Sequence, residues 1–181
     1  MLSKEEAEHV LATAEQIYSA AIVAETINQM AVKITRELAE QYPLVLCVMG
    51  GAVVFTGHLL PLLEFPLNFD YLHVTRYNNT TQGGQIRWKV APRENLAGRV
   101  VLVLDDLLDE GITLAAIQKK VMACGAKAFY SAVLADKDIG QPKPFHADFV
   151  GLTLPNRYVF GFGMDVQGAW RNLPAIYAIK K

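Results

Sequence analysis

The chain is short of several things, and each shortage excludes something. It has two cysteines, Cys47 and Cys124, with no metal-type spacing and too few for a disulfide framework, so both read as reduced core thiols. Charge is almost balanced, with 17 Lys and Arg against 18 Asp and Glu and no long run of either sign, so bulk electrostatics do not favour nucleic acid. No apolar run approaches a membrane span, and the start MLSKEEAEHV has acids where a signal peptide would have its apolar core, so a cytoplasmic protein with no membrane partner is expected. No Gly-x-x-x-x-Gly-Lys-Ser/Thr sequence is present, which argues against P-loop phosphoryl transfer. Gly161-x-Gly163 lacks the third spaced glycine of a dinucleotide fingerprint and is followed by Asp165.

What is present centres on residues 100–114, VVLVLDDLLDEGITL. Residues 100–104 form an uninterrupted aliphatic run, as in a strand buried on both faces of a parallel sheet. Asp105 and Asp106 are placed just beyond it, in the crevice where such sheets bind ligands. Asp109 follows, and Gly111 and Thr113 open a segment with Leu114, Ile117 and Val121 at helical spacing. This predicts a strand, a loop and a helix N-terminus. Free N–H groups there favour a phosphate, and the acids before them suit a cation or sugar hydroxyls.

At 181 residues the chain fits a single α/β domain. Ser3 and Glu6 make a capping box ahead of Val10, Leu11, Ala14 and Ile17, predicting an opening helix. Ile22, Ile27, Met30, Ala31, Ile34 and Leu38 mark the stripe of a second helix. A strand over 44–48 runs into Met49-Gly50-Gly51-Ala52, where two glycines let backbone approach a ligand closely, and an apolar helix-like stretch follows. Residues 67–74 alternate as a strand, TRYNNTTQGGQ is a polar glycine-rich loop, and 86–90 return as a strand. A further strand is expected over 126–134, ending at Asp136-Lys137-Asp138. As bare chemistry, Tyr158 offers a flat face to a purine, Asp165 can ligate a hard cation and Arg171 can grip phosphate oxygens.

Three blocks in order resemble a known family. The 100–114 stretch is similar to the phosphoribosyl-diphosphate (PRPP) motif of type I phosphoribosyltransferases. Lys137 upstream of Asp148-Phe149-Val150-Gly151, and Tyr158, Val159, Gly161, Asp165 and Trp170-Arg171-Asn172-Leu173, resemble the 6-oxopurine (hypoxanthine-guanine) members. The resemblance spans roughly 44–173 and implies a central, mainly parallel sheet flanked by helices, with a small hood from the N- and C-terminal segments. It also implies a mobile loop over about 75–86 bearing Arg76 and Tyr77.

The resemblance implies a reaction joining hypoxanthine or guanine to PRPP, giving a nucleoside monophosphate and pyrophosphate with Mg²⁺, usually in a homodimer or homotetramer. By the same resemblance Asp109 is the general base, and Asp105 and Asp106 engage ribose and a magnesium. Glu110, Gly111, Ile112 and Thr113 hold the 5′-phosphate; Asp165 holds the magnesium on pyrophosphate; Met49, Gly50 and Gly51 meet pyrophosphate; Arg171 grips PRPP phosphate oxygens. Lys137, Tyr158 and Val159 bind the base. Family members commonly have lysine where this chain has Met49, Thr and often Lys where it has Glu110 and Ile112, and Ser where it has Arg76. The pyrophosphate loop of relatives often contains a non-proline cis peptide. The departures leave room for a regulatory nucleotide- or RNA-binding protein of the same fold.

Overall fold

The computed structural model describes residues 1–77 and 85–180. Residues 78–84 of the expected loop, and the contacts expected of the Arg76 and Tyr77 side chains, lie outside the described residues. In chain order the elements are α1 (Lys4–Thr13), β1 (Glu15–Tyr18), α2 (Ala20–Leu38), β2 (Leu44–Met49), α3 (Ala52–Leu59), β3 (Asn68–Tyr77), β4 (Gln85–Val90) and β5 (Val100–Leu108). They continue with α4 (Ile112–Ala123), β6 (Ala128–Lys137), β7 (Phe149–Leu154), β8 (Val159–Phe160) and β9 (Ile176–Ala178).

Six strands form one sheet in the order β4-β3-β2-β5-β6-β7, parallel except for β4. The aliphatic run of β5 explains its place near the centre. Val100, Leu102 and Leu104 face the core under α2 and α3, whereas Val101 and Val103 face the core under Leu114, Ile117 and Val121 of α4. Each such side chain gains about 1.5–3 kcal/mol by leaving water. β5 and β6 both run further than their apolar stretches indicate. Asp105 and Asp106 lie inside β5, with Asp105 opposite Val133, and Asp136 and Lys137 are the last residues of β6. Ladder pairing carries the strands through these polar residues at their carboxyl ends despite low strand propensity.

A second sheet has the order β1-β9-β8 and packs onto the α2 side of the core through Val159, Ile176 and Ala178. β1 was not foreseen. The capping box of α1 forms as expected, with Glu6 N–H donating to Ser3 Oγ at 3.2 Å and Ser3 N–H to Glu6 Oε2 at 2.7 Å. The helix nevertheless stops at Thr13, so Ile17 belongs to β1 and not to a helical stripe. The stripe of α2 begins at Val23; Ile22 faces outward, 47 % exposed. Arg157 Nη1 to Glu15 Oε2 at 2.6 Å and Trp170 Nε1 to the Ala7 carbonyl at 2.7 Å fasten the N-terminal segment to the C-terminal one. Cys47 is buried in β2, but Cys124 at the end of α4 is exposed, which corrects the expectation of two core thiols. Among the described residues no helix is long and apolar enough to cross a membrane.

The Asp148-Phe149-Val150-Gly151 block has a structural explanation. Asp148 Oδ2 accepts from Ser131 N–H at 2.8 Å and Ser131 Oγ at 2.9 Å, locking β7 against β6. A Cβ on Gly151 would fall 2.5 Å from the Leu134 carbonyl oxygen and 2.8 Å from Met30 Sδ, so only glycine lets α2 lie this close to the sheet. Gly151→Ala should therefore lower the urea midpoint by an amount equivalent to about 1–3 kcal/mol, with an unchanged m-value. An unchanged midpoint would mean that α2 can move outward without cost.

Candidate active site

The two acids of β5 lie close enough for their carboxyls to interact with each other. Asp105 is buried, and its Oδ1 accepts the N–H of Asp106 at 3.0 Å. Burial pushes its carboxyl well above the ordinary range, and the negative charge of Asp106 pushes the same way. Burial also raises Asp106, partly offset by hydrogen bonding and by the Arg171 guanidinium.

Asp106 sits against Gly51. A Cβ there would lie 2.0 Å from Asp106 Oδ2, so the second glycine of the β2–α3 turn makes room for this carboxylate. Just before it, Met49 closes β2 and the Met49–Gly50 peptide is cis. On the other side of Gly51 lies Gly163, at φ +102, where a Cβ would come within 2.1 Å of the Gly51 carbonyl oxygen. Gly163 therefore serves close approach of backbone to backbone, not a dinucleotide. The segment after β8 thus lies directly on the turn after β2, and the Asp106 carboxylate of β5 fills the space beside Gly51.

Beside this stack is a cleft of about 360 Å³ lined by Asp106, Leu107, Asp109, Lys137, Tyr158, Val159, Met164, Asp165 and Arg171. Seven of the sequence's candidates meet there: Asp106 and Asp109 from β5 and its following loop, Lys137 from β6, Val159 from β8, and Tyr158, Asp165 and Arg171 from the rest of the C-terminal segment. Asp109 Oδ2 and Lys137 Nζ form an ion pair at 2.9 Å, with the lysine buried. Across the cleft Arg171 Nη2 pairs with Asp165 Oδ1 at 2.5 Å, while Arg171 Nη1 donates to the Gly163 carbonyl at 2.5 Å. Asp165 Oδ2 also accepts Gly168 N–H at 2.7 Å, so the loop 165–168 is shaped around the carboxylate. Tyr158 is 53 % exposed, its ring free of the core.

Asp105, Met49, Gly50, Gly51, Glu110, Gly111, Ile112 and Thr113 do not line the cleft among the described residues. The last four form the entry to α4. Gly111 takes a left-handed conformation, φ +79, as the N-cap, and no side chain caps it. The first N–H groups of such a helix have no intrahelical acceptor and can meet an anion. Glu110 is exposed there. Sequence reasoning missed Leu107 and Met164, the apolar part of the lining. Neither had a distinguishing signal: alternation from Asp106 leads to Leu108, which is buried in the core instead.

The phosphoribosyl transferase domain family matches residues 13–167. A hypoxanthine-guanine-xanthine phosphoribosyltransferase of Tritrichomonas foetus is 31% identical over 167 residues, 91% of this chain and 91% of that protein. The hypoxanthine-guanine phosphoribosyltransferase of Bacillus subtilis (strain 168) is 29% identical over 180 residues, 99% of this chain and 97% of its own. A solved structure of a hypoxanthine-guanine-xanthine phosphoribosyltransferase superposes with a TM-score of 0.82 at 28% identity, covering 92% of this chain and 97% of that one. With matches of this extent and a parallel sheet whose acids meet at the end of its central strand, the chain belongs to the phosphoribosyltransferase family and has the type I fold.

Proposed function

We propose that this protein is a purine-salvage phosphoribosyltransferase that joins hypoxanthine or guanine to PRPP, releasing pyrophosphate and a nucleoside 5′-monophosphate. The observation that carries the reading is the Asp109–Lys137 pair, an acceptor and a donor 2.9 Å apart on one cleft wall. A 6-oxopurine presents the complementary edge, with the C6 carbonyl as acceptor beside an N7–H donor. Lys137 then donates to the carbonyl, and Asp109 withdraws the N7 proton as N9 attacks the ribose C1. The exposed ring of Tyr158 supplies a stacking face over the base, and Val159 its apolar contact.

The other roles follow from charge. Backbone N–H groups of residues 110–113 and the Thr113 hydroxyl receive the 5′-phosphate at the start of α4. Asp105 and Asp106 face the ribose hydroxyls, directly or through water, and Arg171 meets the departing pyrophosphate. Gly50 and Gly51 bring backbone to the same group, and Met49 leaves that turn without the cation common in relatives. The three-stranded sheet acts as the hood.

The donor set fits magnesium, because the available ligands are the hard oxygens of Asp105, Asp106 and Asp165. Among the described residues no group of three or more His, Cys, Asp or Glu is poised around one point, which suits an ion held by one or two carboxylates together with substrate oxygens and water. When bound, magnesium would neutralise charge developing on pyrophosphate.

Steady-state rates with PRPP and each purine test the reading. Hypoxanthine should be used and adenine rejected by at least tenfold to about a hundredfold, since its amino group would leave the buried lysine facing another donor. Comparable rates for the two bases would refute the role of Lys137. Asp109→Asn should keep substrate affinity and lose about 10²-fold or more in turnover; near-normal turnover would remove it from the mechanism.

A second test uses the raised carboxyl of Asp105. A folded-state pKa above the unfolded one gives a contribution that is full below the ordinary carboxylate range and is lost as pH rises through the raised value. In magnesium-free protein, Asp105→Asn should therefore raise Tm by a few degrees at about pH 8 and leave it nearly unchanged at about pH 4, while turnover falls. Calorimetry at the two pH values checks this; a Tm that drops at high pH would mean that the charged carboxylate stabilises the fold.

A further inference from the structure

Lys143 lies outside the cleft, on the loop joining β6 to β7, flanked by Pro142 and Pro144. Its side chain is only 8% exposed. The ammonium donates to the Leu108 carbonyl at 2.9 Å, to Asp136 Oδ1 at 2.5 Å and to the Lys137 carbonyl at 2.5 Å, which uses all of its N–H groups. These acceptors are not scattered. Leu108 directly precedes Asp109, and the other carbonyl is that of Lys137 itself.

The β5–β6 register ends at Leu108 opposite Asp136, so no ladder pair fixes Asp109 relative to Lys137 beyond that point. The Lys143 ammonium takes over there, bridging the two strand ends with a side chain. Its loop is itself held in place. Phe145 is buried and meets Phe129 edge-on at 6.1 Å, and a Cβ on Gly111 would lie 3.4 Å from both Lys143 Cβ and Phe145 Cβ. Packing alone would be served by an apolar side chain of the same length, which carries no desolvation cost.

We infer that Lys143 is a positioning residue that sets the spacing and direction of Asp109 and Lys137, and thereby the discrimination between 6-oxo and 6-amino purines. The inference rests on the reading of the cleft given above. Loss of the bridge would let the pair drift. Displacements of about 1 Å in a reacting constellation cost up to about 10²-fold in rate.

The test is the charge-balanced double variant Lys143→Met/Asp136→Asn, compared with unmodified protein by calorimetric binding of inosine and adenosine monophosphates and by turnover of hypoxanthine and adenine with PRPP. The preference for the inosine nucleotide should fall by about tenfold and kcat/KM for hypoxanthine by about 10–100-fold, while PRPP affinity stays within about threefold. Unchanged nucleotide preference, or an equal loss of purine and PRPP binding, would overturn the inference. Should the double variant not fold, Lys143→Arg gives the same readout, because a planar guanidinium cannot serve all the same acceptors; an unchanged preference there overturns it equally. If the unmodified protein itself bound both nucleotides alike, the reading of the cleft would fall instead.

Discussion

The structure depends on covering β5 on both faces. Two cores, one under α2 and α3 and one under α4, meet through this strand. That arrangement fixes the depth at which the chain's acids emerge. Because the ladder continues through Leu108, Asp105 is held inside the protein with Asp106 beside it, and burial works against the charge of both. A site of this kind stores unfavourable electrostatics that a cation or a hydroxyl-rich ligand can relieve.

The glycines convert that burial into a shaped site. Gly51 admits the Asp106 carboxylate, and Gly163 rests on the Gly51 carbonyl. Arg171 then reaches both Gly163 and Asp165, so the guanidinium is placed by the same stack that places the acids. Gly51 and Gly163 are thereby held at backbone-to-backbone distance, with the Asp106 carboxylate of β5 packed directly against Gly51.

Much of this was legible in the sequence, and the gaps have physical causes. Asp106, Asp109, Lys137, Asp165 and Arg171 could be read because each ends or follows an aliphatic strand and their order matched a known pattern. The aliphatic run stops short of the end of β5 because composition is a local signal, whereas ladder pairing with β6 extends the strand through polar residues. β1 was invisible because Glu15–Tyr18 has no partner nearby in sequence; its partner is β9. The meaning of Gly51, Gly151 and Gly163 depends on which atom lies opposite, something no spacing reveals. Lys143, between two prolines, reads as an ordinary solvated loop lysine until its acceptors are seen.

The small sheet has a temporal consequence. Its middle strand, β9, is the last of the elements to be made, and β1 among the first. The bond from Trp170 to Ala7 spans 163 positions. During synthesis β1 must therefore stay without its strand partner until residues 176–178 have left the exit tunnel, long after β1 itself has emerged.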